Sequence, residues 1–276
     1  MKERSKIAAA VLALAFFSTG AVARAQSAQA AQAASAASPL GALDILKKAD
    51  AAFIPKNASF RWALMVEREG EPVQENRFLG FKKGDLKYLF YDYCPDSAYG
   101  QCHLRIDAAI WMYLPLADDT VKTSYKSAFL GSGLSYADVM YNELARYYDA
   151  SVLDADAKAS GLDGESACYE LELKAKKGAD GYAKILSYID KRSFLTLRRE
   201  YFGLSGQRLK EISFGGFVSG EGSASAFKLE IGNDLDPGQK TSASFWDIKS
   251  DDKLPEKYFS LNFARTWQPK VEADKP

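Results

Sequence analysis

The chain has 276 residues, 47% of them hydrophobic and 13% aromatic, with 36 basic side chains balancing 36 acidic ones. That length suits one or two domains, and all-β architectures often reach it as one. The balanced charge lacks the basic excess of a nucleic-acid binder, so nucleic acid is not an expected partner.

At the N-terminus, Lys2, Arg4 and Lys6 precede an apolar run over 7–17, and small-residue triplets follow at 21–23, 23–25 and 28–30. A positive region, a short apolar stretch and a small-residue cleavage site make residues 1–25 read as a signal peptide. The apolar run is shorter than the roughly 20 residues of a membrane-spanning helix. Residues 26–40, rich in Ala, Ser and Gln, read as a flexible tether. The mature protein is expected to be exported, processed and soluble.

Residues 40–53 carry apolar side chains at helical spacing (Ala42, Ile45, Leu46, Ala49, Ala52, Phe53) until Pro55 breaks the pattern. The period then changes to two. Phe60, Trp62, Leu64 and Val66 alternate along the first strand. Strands are expected at 74–82, 86–92, 103–107 and 109–114. Residues 116–150 form a long excursion rich in Ser and Gly, with a short helical stretch beginning near Tyr136. Excursions of that length are commonly lids or binding loops, which makes Phe129, Leu134 and Tyr136 the lid candidates. Strand patterns resume at 166–175, 182–190, 194–203, 207–217, 224–234 and 240–248, divided mostly by Gly-containing turns. Consecutive strands joined by short turns imply an antiparallel meander. The expected fold is mainly β (α+β): a strongly curved half-barrel of about 10–11 strands, with few helices to cover one face.

Catalytic chemistry is sparse. The one His, His103, lacks a Gly-x-Ser-x-Gly elbow, and one His with three Cys supplies no metal-ligand pattern. Asp118-Asp119 and Asp251-Asp252 read as solvated turn residues. No catalytic residue, metal or cofactor is expected, and the chain does not read as an enzyme. Cys94 and Cys102 flank a short loop and form the candidate disulfide in an oxidising compartment, with Cys168 left as a packing residue. Trp62, Leu64, Tyr88, Phe90, Trp111 and Tyr113 crowd the first half of the sheet. They are either a filled core or the lining of an apolar ligand cavity, since both demand the same side chains.

Several stretches resemble the outer-membrane lipoprotein-sorting protein family, which is similar to the periplasmic lipoprotein carrier LolA. They are Leu104-Arg105, the run 110–115 (Ile-Trp-Met-Tyr-Leu-Pro), residues 124–127, and 131–138 (Gly-Ser-Gly-Leu-Ser-Tyr-Ala-Asp). Weaker matches lie at 42–49, 168–173, 182–190 and Tyr201-Phe202, so the resemblance runs from about 41 to 263. It implies a lipid-binding domain over 41–267, followed by a polar tail at 268–276. It further implies an incomplete barrel whose helices lid an apolar cavity for acyl chains. The expected function is that of a monomeric periplasmic carrier, binding lipid or lipoprotein acyl chains for transfer to the outer membrane. Its partners would include an inner-membrane transporter or outer-membrane acceptor. The alternative is an accessory or sensor module of an RND-type envelope transporter or lipid-stress pathway. Where the lipoprotein carrier has an Arg followed by Pro, this chain reads Lys82-Lys83-Gly84.

Overall fold

The computed structural model describes residues 40–269, except 141, 142, 180, 221 and 222. The expected signal peptide, nearly all of the tether and residues 270–276 lie outside the described residues.

One antiparallel sheet of thirteen strands organises the chain. In chain order the strands are β1 (Asn57–Glu67), β2 (Gln74–Lys83), β3 (Lys87–Cys94), β4 (Cys102–Ile106), β5 (Ala109–Leu114) and β6 (Asp119–Thr123). After the 116–150 excursion come β7 (Tyr148–Gly161), β8 (Gly164–Ala175), β9 (Lys184–Asp190), β10 (Thr196–Phe202), β11 (Arg208–Ser219), β12 (Ala224–Asn233) and β13 (Lys240–Ser250). Among the described residues four short α-helices accompany them: α1 (Ala42–Phe53), α2 (Tyr136–Met140), α3 (Leu144–Tyr147) and α4 (Leu261–Thr266). The sheet is open, with β6 and β7 as its edges and the order 6-5-4-3-2-1-13-12-11-10-9-8-7. This is the expected mainly β half-barrel. Two strands exceed the expected count, β6 and β7, because both are largely exposed edges rich in Asp, Ser, Thr and Ala, without an apolar face to mark them.

The sheet consists of two meanders joined at a single seam, where β1 pairs with β13. Trp62 of β1 lies directly opposite Phe78 of β2 and Phe245 of β13, and Phe245 lies opposite Phe227 of β12. Their rings form a stacked ladder across four strands. The centroid separations are 4.2 Å for Phe78–Trp62, 5.4 Å for Trp62–Phe245 and 4.5 Å for Phe245–Phe227. In-register aromatic pairs of this kind stabilise neighbouring strands beyond their buried area. Phe53 of α1 closes edge-on against Phe227 and Phe214, at 5.0 and 5.2 Å, which docks the helix on the inner face.

The second meander is the more strongly curled. The β7–β8 hairpin tip reaches across to β11, where Leu162 N–H donates to the Phe214 carbonyl and Gly216 N–H to the Asp163 carboxylate, each at 2.9 Å. A Cβ on Gly161 would come within 2.6 Å of the Phe214 carbonyl oxygen, so only glycine admits this approach.

The outer face of β2–β5 carries its own cluster. Leu89, Tyr91, Cys102, Leu104 and Tyr113 pack beneath Phe259 and Ala264 of the C-terminal segment. Register explains why Cys94 and Cys102 are free thiols and not the expected disulfide. Cys102 pairs with Tyr91, three residues along β3 from Cys94. That is roughly 10 Å of strand rise, beyond the Cα separation of about 7 Å that a disulfide spans. Cys102 instead donates to the Ala264 carbonyl at 3.4 Å.

Trp62 is fully buried at the seam. Replacing it with Ala is expected to lower unfolding stability by about 3–5 kcal/mol, measured by denaturant titration. A loss under 1 kcal/mol would mean that the ladder does not hold the two meanders together.

Candidate ligand-binding site

The inner face divides into a filled half and an open half. In the first half, Phe129 is fully buried among Trp62, Phe78, Phe90, His103 and Tyr136, with ring centroids 4.7 to 6.2 Å away. His103 Nδ1 lies 2.9 Å from the Tyr136 hydroxyl, and complete burial lowers its pKa to about 3, so the ring is neutral. Trp62, Leu64, Tyr88 and Phe90 all join this inner core. Trp111 and Tyr113 do not. They pair with Leu104 and Cys102 and belong to the outer cluster, while Ile110 faces inward. Side chains alternate along a strand, so a one-residue error in phase moves a residue to the opposite face.

The excursion containing the expected lid residues is anchored by side chains from both meanders. Arg68 and Gln239 donate to the Gly131 carbonyl at 2.6 and 3.0 Å, and Gln74 donates to the Leu130 carbonyl at 3.2 Å. Gly133 N–H donates to Thr241 Oγ1 at 3.1 Å. Phe129 and Tyr136 thus plug the first half, whereas Leu134 faces the second.

Over the second half lies a cleft with about 580 Å³ of empty space, part of it open to solvent. Phe53 of α1 forms one wall, and Leu134 with Val139 of α2 forms another. The sheet supplies Tyr201, Ile212, Phe214, Phe227, Leu229 and Phe245 from β10 to β13. These walls approach closely, and Leu134 and Val139 narrow the cleft.

The polar groups at this cleft fall into two sets. In the first, Asp138 and Lys210 form a buried ion pair at 2.5 Å. Asp138 Oδ2 also accepts from Ser135 N–H at 2.6 Å, the Ser135 hydroxyl at 2.8 Å and the Tyr182 hydroxyl at 3.1 Å. Lys210 Nζ donates to the Gly133 carbonyl at 3.0 Å. Burial and the nearby Asp138 charge raise the Tyr182 pKa far above its ordinary value. This network latches α2 to β11.

In the second set, Asp50 Oδ2 accepts from Ala145 N–H at 2.9 Å, tying α1 to α3. Burial raises the Asp50 pKa to about 7, with Arg199 and the backbone donor opposing the rise. A more open depression of about 390 Å³ shares Asp50 and continues outward past Lys47, Lys56 and the buried Lys82–Glu143 pair, which is 2.5 Å apart. Lys82 thus stands in a buried ion pair at the position where the resemblance leads one to expect Arg.

Arg105 of the resembling stretch is fully buried. It donates to the Met140 carbonyl at the end of α2 and to the Tyr147 hydroxyl, the latter at 2.8 Å. It positions the α2–α3 region and takes no place in the cleft lining. Sequence reasoning missed Asp50, Val139, Arg199, Ile212, Phe214, Phe227, Leu229 and Phe245. A signal was present: Arg199 shares the inward phase of Tyr201, and Lys210 that of Ile212 and Phe214. A charged residue in the apolar phase of a strand marks a buried polar contact.

A family model described as an uncharacterized protein family matches residues 84–265, about two-thirds of the chain. The chain belongs to this family. No curated protein matches it. A LolA superfamily protein from Nitrosomonas europaea has a similar structure, with TM-score 0.68, 22% identity, and coverage of 81% of this chain and 99% of that one. A DUF1329 family protein from Desulfovibrio piger gives TM-score 0.67, 20% identity, and 80% and 96% coverage. A domain described as an outer membrane lipoprotein-sorting protein, from Vibrio parahaemolyticus, gives 0.67, 20%, and 82% and 98%. The resemblance to the lipoprotein-sorting group therefore holds, and at these identities it establishes the LolA-like fold.

The Asp50 carboxyl makes stability depend on pH. Its folded pKa lies above the unfolded value, so its contribution is fully present below about pH 4 and is lost as pH rises towards 7. Asp50→Asn is expected to raise Tm at pH 8 by roughly 5 °C and to leave it unchanged at pH 4, by differential scanning calorimetry. An equal shift at both pH values would contradict the assignment.

Proposed function

We propose that this protein is a periplasmic carrier that receives lipid or lipoprotein acyl chains in the cleft over β10–β13, and that it is a binding protein and not an enzyme. The observation that carries this reading is the cleft itself, walled by aromatic and aliphatic side chains and covered by the segment that Lys210 holds. Each methylene buried from water contributes about 0.8 kcal/mol, so one long chain supplies useful affinity without any catalytic group. Among the described residues no His, Cys, Asp and Glu cluster could hold a metal, and His103 is a neutral core residue and not an exposed base. The LolA-like fold and the N-terminal export pattern support a periplasmic site of action.

The Asp138–Lys210 network gives the carrier a mechanism for exchange. While the latch holds, Leu134 and Val139 narrow the cleft. When α2 lifts, the apolar walls open and a chain can enter or leave. Phe129 stays in place, because the loop over 130–133 is also held by Arg68, Gln74, Gln239 and Thr241, while Tyr136 moves with α2.

A fluorescent fatty acid is expected to bind saturably at about one per chain. Leu229→Trp, which fills the cleft, should weaken this binding about tenfold or more. Trp111→Ala, on the outer face, should leave it unchanged. Loss of binding in the outer-face variant alone would move the site out of the cleft, and absence of saturable binding in the wild type would remove the carrier reading.

A further inference from the structure

The acyl-chain reading of the cleft leaves open what the other end of the ligand is, and the inference below rests on that reading. Three polar atoms near the cleft floor are buried without a hydrogen-bond partner among the described residues: Asp50 Oδ1, Arg199 Nε and Ser187 Oγ. Asp50 and Arg199 both line the cleft, and each is more than nine-tenths buried. Ser187 is fully buried and lies directly opposite Arg199 in the β9–β10 register, so the two share a face. Buried polar atoms are nearly always paired, and an unpaired one carries a desolvation penalty that a ligand group can remove.

These atoms select the chemistry of a head group. Arg199 contacts Thr196 Oγ1 through Nη2 at 3.3 Å and lies 5.5 Å from the Phe214 ring centroid, while its Nε has no hydrogen-bond partner among the described residues. A guanidinium presents such an edge to an oxyanion. Asp50 has one oxygen fixed by the Ala145 N–H and the other unpaired, so a proton on Oδ1 has an acceptor only in a ligand. Asp138 is already neutralised by Lys210. The cleft thus offers one unneutralised cation beside one protonatable acid. A monoanion matches that count. A phosphate monoester, with more than one negative charge near neutral pH, would face Asp50 with a single guanidinium to balance it.

We propose that the cleft takes a single-chain amphiphile with a carboxylate head, a fatty acid, whose carboxylate lies on the Nε edge of Arg199 and accepts a hydrogen bond from protonated Asp50. The chain then runs over Ile212, Phe214 and Leu229 beneath Val139 of α2. The closed cleft holds only about 50 Å³ of free volume, so the chain is admitted as Leu134 and Val139 are displaced.

Asp50 gives the complex a pH signature. The charged groups around it are Arg199 from β10, Glu143 and Arg146 at α3, Lys82 from β2, Asp138 from α2, and Lys47 and Lys56 at the open depression. Lys82 is engaged by Glu143 and Asp138 by Lys210, leaving Arg199 as the cation that both Asp50 and the ligand address. Burial places the Asp50 titration at about pH 7. Above it the ionised carboxylate neither donates to the head group nor tolerates a second negative charge, so affinity for the acid falls as pH rises.

The test is displacement of an uncharged apolar dye from the full-length mature protein by hexadecanoic acid, its methyl ester and hexadecyl phosphate, at pH 6 and pH 9. The acid is expected to bind at least tenfold more tightly than the ester at pH 6, with a smaller advantage at pH 9. Arg199→Gln should abolish the acid's advantage over the ester, and Asp50→Asn should remove the pH dependence. Equal binding of acid and ester by the wild type overturns the head-group proposal and leaves the acyl-chain reading standing. Tighter binding of the phosphate overturns the carboxylate assignment. If none of the three ligands displaces the dye, the cleft reading beneath the proposal fails. The wild-type comparison of acid with ester decides the matter even where the Arg199 variant does not fold.

Discussion

The pairing of β1 with β13 is the constraint on which the rest of the molecule depends. Two antiparallel meanders, one of six strands and one of seven, are each built from local hairpins and could curl separately. Only the seam makes them one surface. It brings the first and last strands of the sheet's sequence together, and the ladder from Phe78 through Trp62 and Phe245 to Phe227 fixes its register. A one-residue slip there would turn every ring of one strand to the outer face. The same ladder offers Phe227 to Phe53, so the seam also determines where α1 docks.

From that arrangement follow the unequal contents of the two halves. On the β2–β5 side, the excursion inserts Phe129 and Tyr136, and the aromatic side chains leave no room for a ligand. On the β10–β13 side, the excursion offers only Leu134 and Val139, and its contact is a buried ion pair instead of a packed ring. A buried ion pair is costly to break yet gains less from its surroundings than close packing does. It is therefore suited to hold the segment that moves in the proposed exchange. Asp50, Ser187 and Arg199 lie on this side, where the proposed ligand would meet them.

Much of the fold was legible because its strands are hairpin-linked and half-buried, so alternation and turn residues marked them one by one. The half that holds the cleft was not legible as a site. Apolar alternation at Ile212-Ser213-Phe214 reads identically whether the next layer is a packed ring or empty space, and what covers it is decided by an excursion whose path no local pattern records. The phase of β5 failed for a related reason. Ile110, Trp111, Met112 and Tyr113 are all large and apolar, both faces of that strand are buried, and size alone made Trp111 and Tyr113 look like the inner pair. The missing disulfide shows the same limit, since proximity in sequence across a loop does not fix cross-strand register.

The central claim is that the open half of the sheet holds an apolar chain. Native mass spectrometry of the protein purified from its native host, followed by organic extraction, tests it most directly. The account predicts a bound lipid or lipopeptide in near-stoichiometric amount, released by the solvent and absent from the Leu229→Trp variant. A clean ligand-free mass, together with no uptake of fatty acid by the purified protein, would contradict it and leave the cleft as an imperfectly filled core.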